Sequence, residues 1–271
     1  MEVRLDVVIP AFNEQDRIGP TIVAYRRSFA DPGTRFLVAL DGCSDATADV
    51  VRELRRQDGR IGLLEFPKLG KGGVILETFR RADADVVAFV DADGATPPAE
   101  LRRLVEVVSR PGIDGAIASR RHPASVLPRR RNLRRRLTST AFVALVHALF
   151  RLPYRDTQCG AKVLRREAVE RIVPYVSARD LVFDVDLLLV ARSLGLRVVE
   201  TPTVWIDQAD SRVDAVADSG RMAAALVRLW LQHRFSPVPG SWEPRRRRQE
   251  REKQGQAPES VSTRPAPLLH A

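Results

Sequence analysis

Two carboxylates separated by a single residue, Asp91 and Asp93, follow the run Asp85-Val86-Val87-Ala88-Phe89-Val90. A short Val-rich apolar run bounded by polar residues has the pattern of a buried parallel strand. Ligands of open α/β sheets gather at the C-terminal strand ends, which is where this pair falls. Two carboxylates so placed can hold a hard divalent cation such as Mg²⁺, which takes few protein carboxylates and completes its shell with water and phosphate oxygens. Acidic turns after strands are common, so the pair gains weight only from its surroundings. Three further stretches carry residues capable of chemistry. They are the glycine-rich basic turn Lys68-Leu69-Gly70-Lys71-Gly72-Gly73, the polar loop Asp156-Thr157-Gln158-Cys159-Gly160-Ala161-Lys162, and the acidic helix start Phe183-Asp184-Val185-Asp186.

These residues need a scaffold, and the N-terminal half has the pattern of one. Strands are expected over Val3 to Pro10, Phe36 to Leu40 and Ile61 to Phe66, each followed by apolar residues at helical spacing. Asp45 suits the N-cap of the second helix, and Pro97 and Pro98 open the fourth. Four strand–helix units in a row predict an α/β fold, a doubly wound and mostly parallel sheet flanked by helices. Past Ile113 to Ala118 the pattern loosens. Residues 128–150 begin as six arginines around Asn132 and Leu133 and end as a nearly continuous apolar helix, with Leu133, Leu137, Ala141, Ala144, Leu145, Ala148 and Leu149 near one face. Helices around 168–176 and 183–194, a strand over 197–205 and a closing helix over 213–235 complete the reading. Residues 1–235 form one domain, whose halves 1–119 and 120–235 would bind donor and acceptor. Residues 236–271, rich in Pro, Arg, Glu, Gln and Ser, read as a disordered basic tail.

With 44% apolar and 29% charged residues the chain reads as a soluble globular protein. Its net charge of +10 is concentrated. Residues 120–136 contribute +8 and the tail from Glu243 +3, which leaves the rest at about −1. Such patches suit phosphate-bearing partners or an anionic membrane surface. The arginine run lacks interleaved aromatic residues, which argues against nucleic acid. Two cysteines, Cys43 and Cys159, make no disulfide framework and suit a reducing cytoplasm. Cys159 has no base beside it in sequence and reads as a packed residue. No signal peptide or spanning helix is apparent, so the expectation is a cytoplasmic protein, peripheral on the inner membrane face. There the 128–150 segment would lie in the interface, its arginines on headgroups and its apolar face at the acyl boundary. A core helix preceded by a solvated charge run is the alternative.

Taken together, the segments Val8-Ile9-Pro10-Ala11-Phe12-Asn13-Glu14, Asp41-Gly42-Cys43-Ser44-Asp45, Gly70-Lys71-Gly72 and Asp91-Ala92-Asp93 resemble an inverting nucleotide-sugar glycosyltransferase of family 2, with the GT-A (Rossmann-like) fold. Asp156 to Lys162, Phe183 to Leu187 and Ser211-Arg212-Val213 resemble, more narrowly, dolichyl-phosphate β-glucosyltransferases and bacterial polyprenyl-phosphate glycosyltransferases. The resemblance spans roughly residues 5 to 215. It implies transfer of a sugar, glucose from UDP-glucose, to a polyprenyl or dolichyl phosphate at the cytoplasmic membrane face.

The same resemblance implies roles for particular residues. Asp93, helped by Asp91, would hold Mg²⁺ or Mn²⁺ on the diphosphate. Pro10, Ala11, Glu14, Asp41, Lys71, Asp91, Ala92 and Arg212 would bind the nucleotide sugar. Asp184, Asp186, Lys162 and Gln158 would serve the acceptor side, one aspartate as base or electrostatic stabiliser and the other two residues steering phosphate. The family usually carries Asp-Asp-Gly-Ser after the second strand. Leu40 and Cys43 replace the first Asp and the Ser here, which leaves UDP and GDP donors both open. Two rival readings remain, the same fold acting on a soluble small-molecule acceptor and a non-catalytic sugar-nucleotide-binding protein. Oligomeric state is not legible.

Overall fold

The computed structural model describes residues 3–128, 133–206, 217–235 and 238. Its frame is a seven-stranded sheet of β1 (Leu5–Ala11), β2 (Thr34–Asp41), β3 (Ile61–Phe66), β4 (Val86–Val90), β5 (Gly115–Ser119), β6 (Ala161–Arg165) and β7 (Val198–Pro202). Their spatial order is β3-β2-β1-β4-β6-β5-β7. All pairings are parallel except those of β6, which runs antiparallel to β4 and β5. The mostly parallel sheet is the expected one. The antiparallel strand is not: residues 161 and 162 were read as the end of a polar loop. Lys162, the second residue of the strand, hides β6 from a reading based on apolar runs, although Val163 and Leu164 after it are buried.

Eight helices are described, α1 (Ile18–Ser28), α2 (Thr47–Gln57), α3 (Lys71–Phe79), α4 (Pro98–Val108), α5 (Leu133–Phe150), α6 (Arg166–Ile172), α7 (Phe183–Ser193) and α8 (Ala217–Phe235). They cover both faces of the sheet, and that is why β4 is apolar at every position, and β1 at every position but the buried Asp6, rather than at alternate ones. Val8 and Phe89 are register partners facing one core, with Ile75, Phe79, Val146, Leu187 and Leu226 from α3, α5, α7 and α8. Val7 and Ala88 face the other, with Ile22, Tyr25, Val51, Leu101 and Leu104 from α1, α2 and α4. The N-cap of α2 is Ala46 instead of the expected Asp45, which sits one residue earlier and accepts the Thr47 amide at 3.0 Å.

The apolar face of α5 differs from the one read in the sequence. Val146 and Phe150 are buried, with Phe142, Leu145 and Leu149 packed on the same core, while Ala141, Ala144 and Ala148 point outward. The C-terminal half of α5 is a core helix braced against α8. Arg129 to Arg131, the side chains of Arg134 to Arg136, Arg212 and the tail beyond Val238 lie outside the described residues. No helix among the described residues is long and apolar enough to cross a membrane.

Candidate active site

At the C-terminal end of β4 the chain leaves the sheet through Asp91, Ala92 and Asp93. The Asp91 amide donates to the Gly160 carbonyl at 3.1 Å, and the Ala92 carbonyl accepts from the Thr21 hydroxyl at 2.9 Å. Asp93 Oδ1 accepts the Ala95 amide at 2.9 Å, which folds the turn back on itself. Burial and the charge of Asp91 hold the Asp93 carboxyl above its ordinary value. Two crowded carboxylates of this kind are relieved by a cation.

Lys71 opens α3. Its ammonium is 2.8 Å from Asp91 Oδ1 and 3.7 Å from Asp184 Oδ2. Burial works against its charge, but Asp91 and Asp184 outweigh that and hold it above the ordinary lysine value. Asp184 Oδ1 in turn meets the Lys162 ammonium at 2.5 Å, and Lys162 also donates to the Cys159 carbonyl at 2.8 Å. Charges of alternating sign thus run Asp91, Lys71, Asp184, Lys162 from the mouth of the site into the core. Lys162 is fully buried, so its ammonium serves Asp184 instead of reaching a bound phosphate, as its supposed loop position had suggested.

Glycines make this assembly possible. Gly70 sits at φ +82°, and a Cβ there would lie 2.4 Å from the Arg179 carbonyl oxygen. A Cβ on Gly160 would fall 1.8 Å from Asp91 Oδ2. The glycines of the basic turn therefore admit the protein's own 177–183 segment.

Other expected site residues are placed as follows. Asp41 Oδ1 accepts the Leu69 and Gly70 amides at 2.6 and 3.0 Å, and its Oδ2 is 3.0 Å from the Lys68 ammonium, so it ties the basic turn to β2. Leu40 beside it points into the core. Pro10 and Ala11 end β1, opposite Ala39 and Leu40. Glu14 is paired with Arg17 through two hydrogen bonds of 2.6 Å, and its amide donates to Thr47. Asp186 is fully buried. It accepts the Ser177 and Ala178 amides, both at 2.8 Å, and lies 2.6 Å from His233 Nε2 of α8. Every one of these partners is protein, so Asp186 holds the 177–182 loop and α8 together and is not presented to an acceptor.

The sequence reading passed over a buried pair beside the site. Arg120 donates to both Asp156 oxygens at 2.7 and 2.8 Å and lies 4.9 Å from the Trp205 ring. Burial opposes both charges, yet the Arg120 pairing pushes the Asp156 carboxyl down to about 2. Arg120 was counted only as part of a charge run, and nothing local in sequence pairs it with a residue 36 positions away. Gln158 donates its amide to Asp156, while its side-chain nitrogen, the Thr157 hydroxyl and the Trp205 indole nitrogen are buried without a partner among the described residues. Cys159 is buried and its thiol is pushed up to about 12, chiefly by desolvation, which fits a packed residue.

No cluster of three or more His, Cys, Asp or Glu suited to a metal ion occurs among the described residues. The pair Asp91 and Asp93 still fits a hard cation that takes two protein carboxylates and fills its shell with water and phosphate oxygens.

Residues 6–173 match the sequence pattern of glycosyl transferase family 2. Glycosyltransferase AglD of Haloferax volcanii is 35% identical over 241 residues, 87% of this chain but only 38% of that relative's length. A dolichyl-phosphate beta-glucosyltransferase of Trichomonas vaginalis is 30% identical over 247 residues, covering 86% of this chain and 72% of its own. Among solved structures, glucosyl-3-phosphoglycerate synthase of Mycobacterium tuberculosis, determined with Mn²⁺, uridine diphosphate and glucosyl-3-phosphoglycerate, superposes with a TM-score of 0.64. That similarity covers 88% of this chain and 82% of the other at 18% identity, and it speaks to the fold alone.

Proposed function

The chain belongs to glycosyl transferase family 2 and is a glycosyltransferase, and on that premise we propose that it moves glucose from UDP-glucose to a polyprenyl phosphate, with inversion, at the cytoplasmic face of a membrane. The observation that carries this reading is the row Asp91–Lys71–Asp184–Lys162 set beside Asp93 at the end of β4. It gathers the groups a departing diphosphate needs. Asp93 and Asp91 would hold Mg²⁺ or Mn²⁺, and a cation bound there supplies Lewis-acid stabilisation of the leaving group. Lys71 adds a second positive charge, fixed in place before the reaction by Asp91 and Asp184, where charge grows as the bond from the sugar C1 to the diphosphate oxygen breaks.

An acceptor phosphate oxygen forms the new bond to C1 from the opposite side, which inverts the configuration and releases the nucleoside diphosphate. A phosphate monoester is already ionised near neutral pH, so alignment contributes more than proton removal. Asp184, gripped by Lys162 behind it, orients Lys71. The reading assigns Asp41, Glu14, Pro10, Ala11 and Ala92 to the nucleotide end and Arg212, outside the described residues, to the diphosphate. Gln158 stays on the acceptor side, its side-chain nitrogen without a partner among the described residues.

The test is product formation from labelled UDP-glucose and a GDP-sugar, each offered polyprenyl phosphate and water-soluble phosphorylated alcohols. Glucosylated polyprenyl phosphate from the UDP donor is the expected product. Turnover confined to the soluble acceptors would replace the lipid reading with a soluble one.

A further inference from the structure

An interfacial role was expected of residues 128–150, whose first side chains lie outside the described residues; among the described helical residues, the large apolar side chains exposed along one face are those of α8. The outward apolar positions of α5 among the described side chains, Ala141, Ala144 and Ala148, are too small to reach an acyl layer. On α8, by contrast, Val227, Leu231 and Phe235 are 44%, 42% and 76% exposed. Spaced four residues apart, they form one stripe along the helix. The helical repeat places exposed Arg228 on one side of that stripe and exposed Arg234 on the other. Arg228 has no ion-pair partner among the described residues, and Arg234 lies 5.7 Å from the Trp230 ring.

Beyond Arg228 the helix turns Ala225, Leu229 and Gln232 toward a cleft of about 340 Å³, whose far wall includes Leu69, Gly70 and Val182. Gly70 immediately precedes Lys71. Around α8, then, apolar stripe, arginine, cleft and the edge of the active site follow one another.

We propose that the Val227–Leu231–Phe235 face of α8 docks on an anionic lipid bilayer, with the helix lying in the plane of the interface. This rests on the polyprenyl-phosphate reading and adds to it the surface that meets the lipid. The three side chains are long enough to enter the headgroup–acyl boundary, and arginine stems on both flanks can lie along apolar surface while their guanidiniums bind lipid phosphate. A second copy of the chain suits the face less well, because pairing two such faces brings Arg228 and Arg234 of one against those of the other. With α8 docked, the cleft opens at the lipid surface, where an acceptor with a phosphate head and an isoprenoid chain resides.

The experiment uses the full chain with vesicles of phosphatidylcholine alone or mixed with phosphatidylglycerol. Wild type is expected to sediment with the anionic vesicles and to be released by salt. Val227→Ser/Leu231→Ser/Phe235→Ser should lose on the order of tenfold or more in vesicle affinity, because three apolar groups no longer leave water. Its melting temperature should fall by only a few degrees, since Phe235 is mostly exposed and Val227 and Leu231 are partly so. Arg228→Gln/Arg234→Gln should bind more weakly and with less salt dependence. Wild-type vesicle affinity in the triple variant would overturn the proposal while leaving the lipid-acceptor reading intact, with the arginine run of residues 129–136 as the docking element. A wild-type dimer dissolved by the triple variant would overturn it in favour of an interface between copies. Polyprenyl phosphate unused in detergent as well as in vesicles would instead strike the functional reading itself.

Discussion

The Lys162 ammonium meets the Asp184 carboxylate at 2.5 Å with neither side chain more than 2% exposed. A buried pair of this kind adds little net stability when intact, but removing one partner strands the other charge away from water. Lys162→Met should therefore destabilise by about 3–5 kcal/mol. Lys162→Met/Asp184→Asn should recover much of that loss in denaturant melts without recovering transfer, because Lys71 loses its inner partner. If the double variant regains activity along with stability, Asp184 does not position Lys71.

The crowding of Asp91 and Asp93 has opposite consequences for folding and for catalysis. A carboxyl whose value is raised in the folded state weakens that state at neutral pH, where it must be charged. Asp93→Asn should raise the melting temperature of the metal-free protein, because it removes that unfavourable charge. It should also abolish transfer and the stabilisation that Mg²⁺ or Mn²⁺ gives the wild type. Thermal shift with and without EDTA reads both effects, and undiminished transfer in EDTA would sink the metal assignment.

Gly160 controls where Asp91 can point. A methyl group there falls 1.8 Å from Asp91 Oδ2, and the cheapest escape is rotation of the carboxylate away from Lys71. Displacing a catalytic group by about 1 Å can cost on the order of 10²-fold in rate. Gly160→Ala should show a loss of that order in kcat, with a small change in melting temperature. Wild-type kcat in this variant would place Asp91 outside the reacting constellation.

The buried pair Arg120–Asp156 makes stability depend on pH. Because pairing lowers the Asp156 value to about 2, its contribution is fully present above the unfolded value near 4 and fades as pH falls from there towards 2. A shift of this size corresponds to roughly 2 kcal/mol at neutral pH. Asp156→Asn should flatten that acid limb of the melting-temperature profile while lowering stability at pH 7. An acid limb identical to wild type would mean that other carboxylates govern it.

Much of this architecture was readable before any tertiary contact was known. Buried parallel strands are continuous apolar runs, and helices show their period within a few residues. The β1–α1 to β4–α4 units, the Asp91 and Asp93 pair at a strand end, the Lys71 turn and the family resemblance are therefore all carried by local pattern. The tertiary structure decided what each polar group does once buried, because burial and pairing depend on segments that sequence keeps apart. Lys162 looked like a loop residue until β6 inserted between β4 and β5 and left Asp184, 22 positions on, as the carboxylate able to neutralise it. Asp186 looked as available as Asp184, yet His233, 47 positions away, and two amides of the 177–182 loop take its oxygens. The same holds for α5 and α8. Both are apolar in sequence, and only their packing on one another and on the shared core decided that a stripe of α8 faces water.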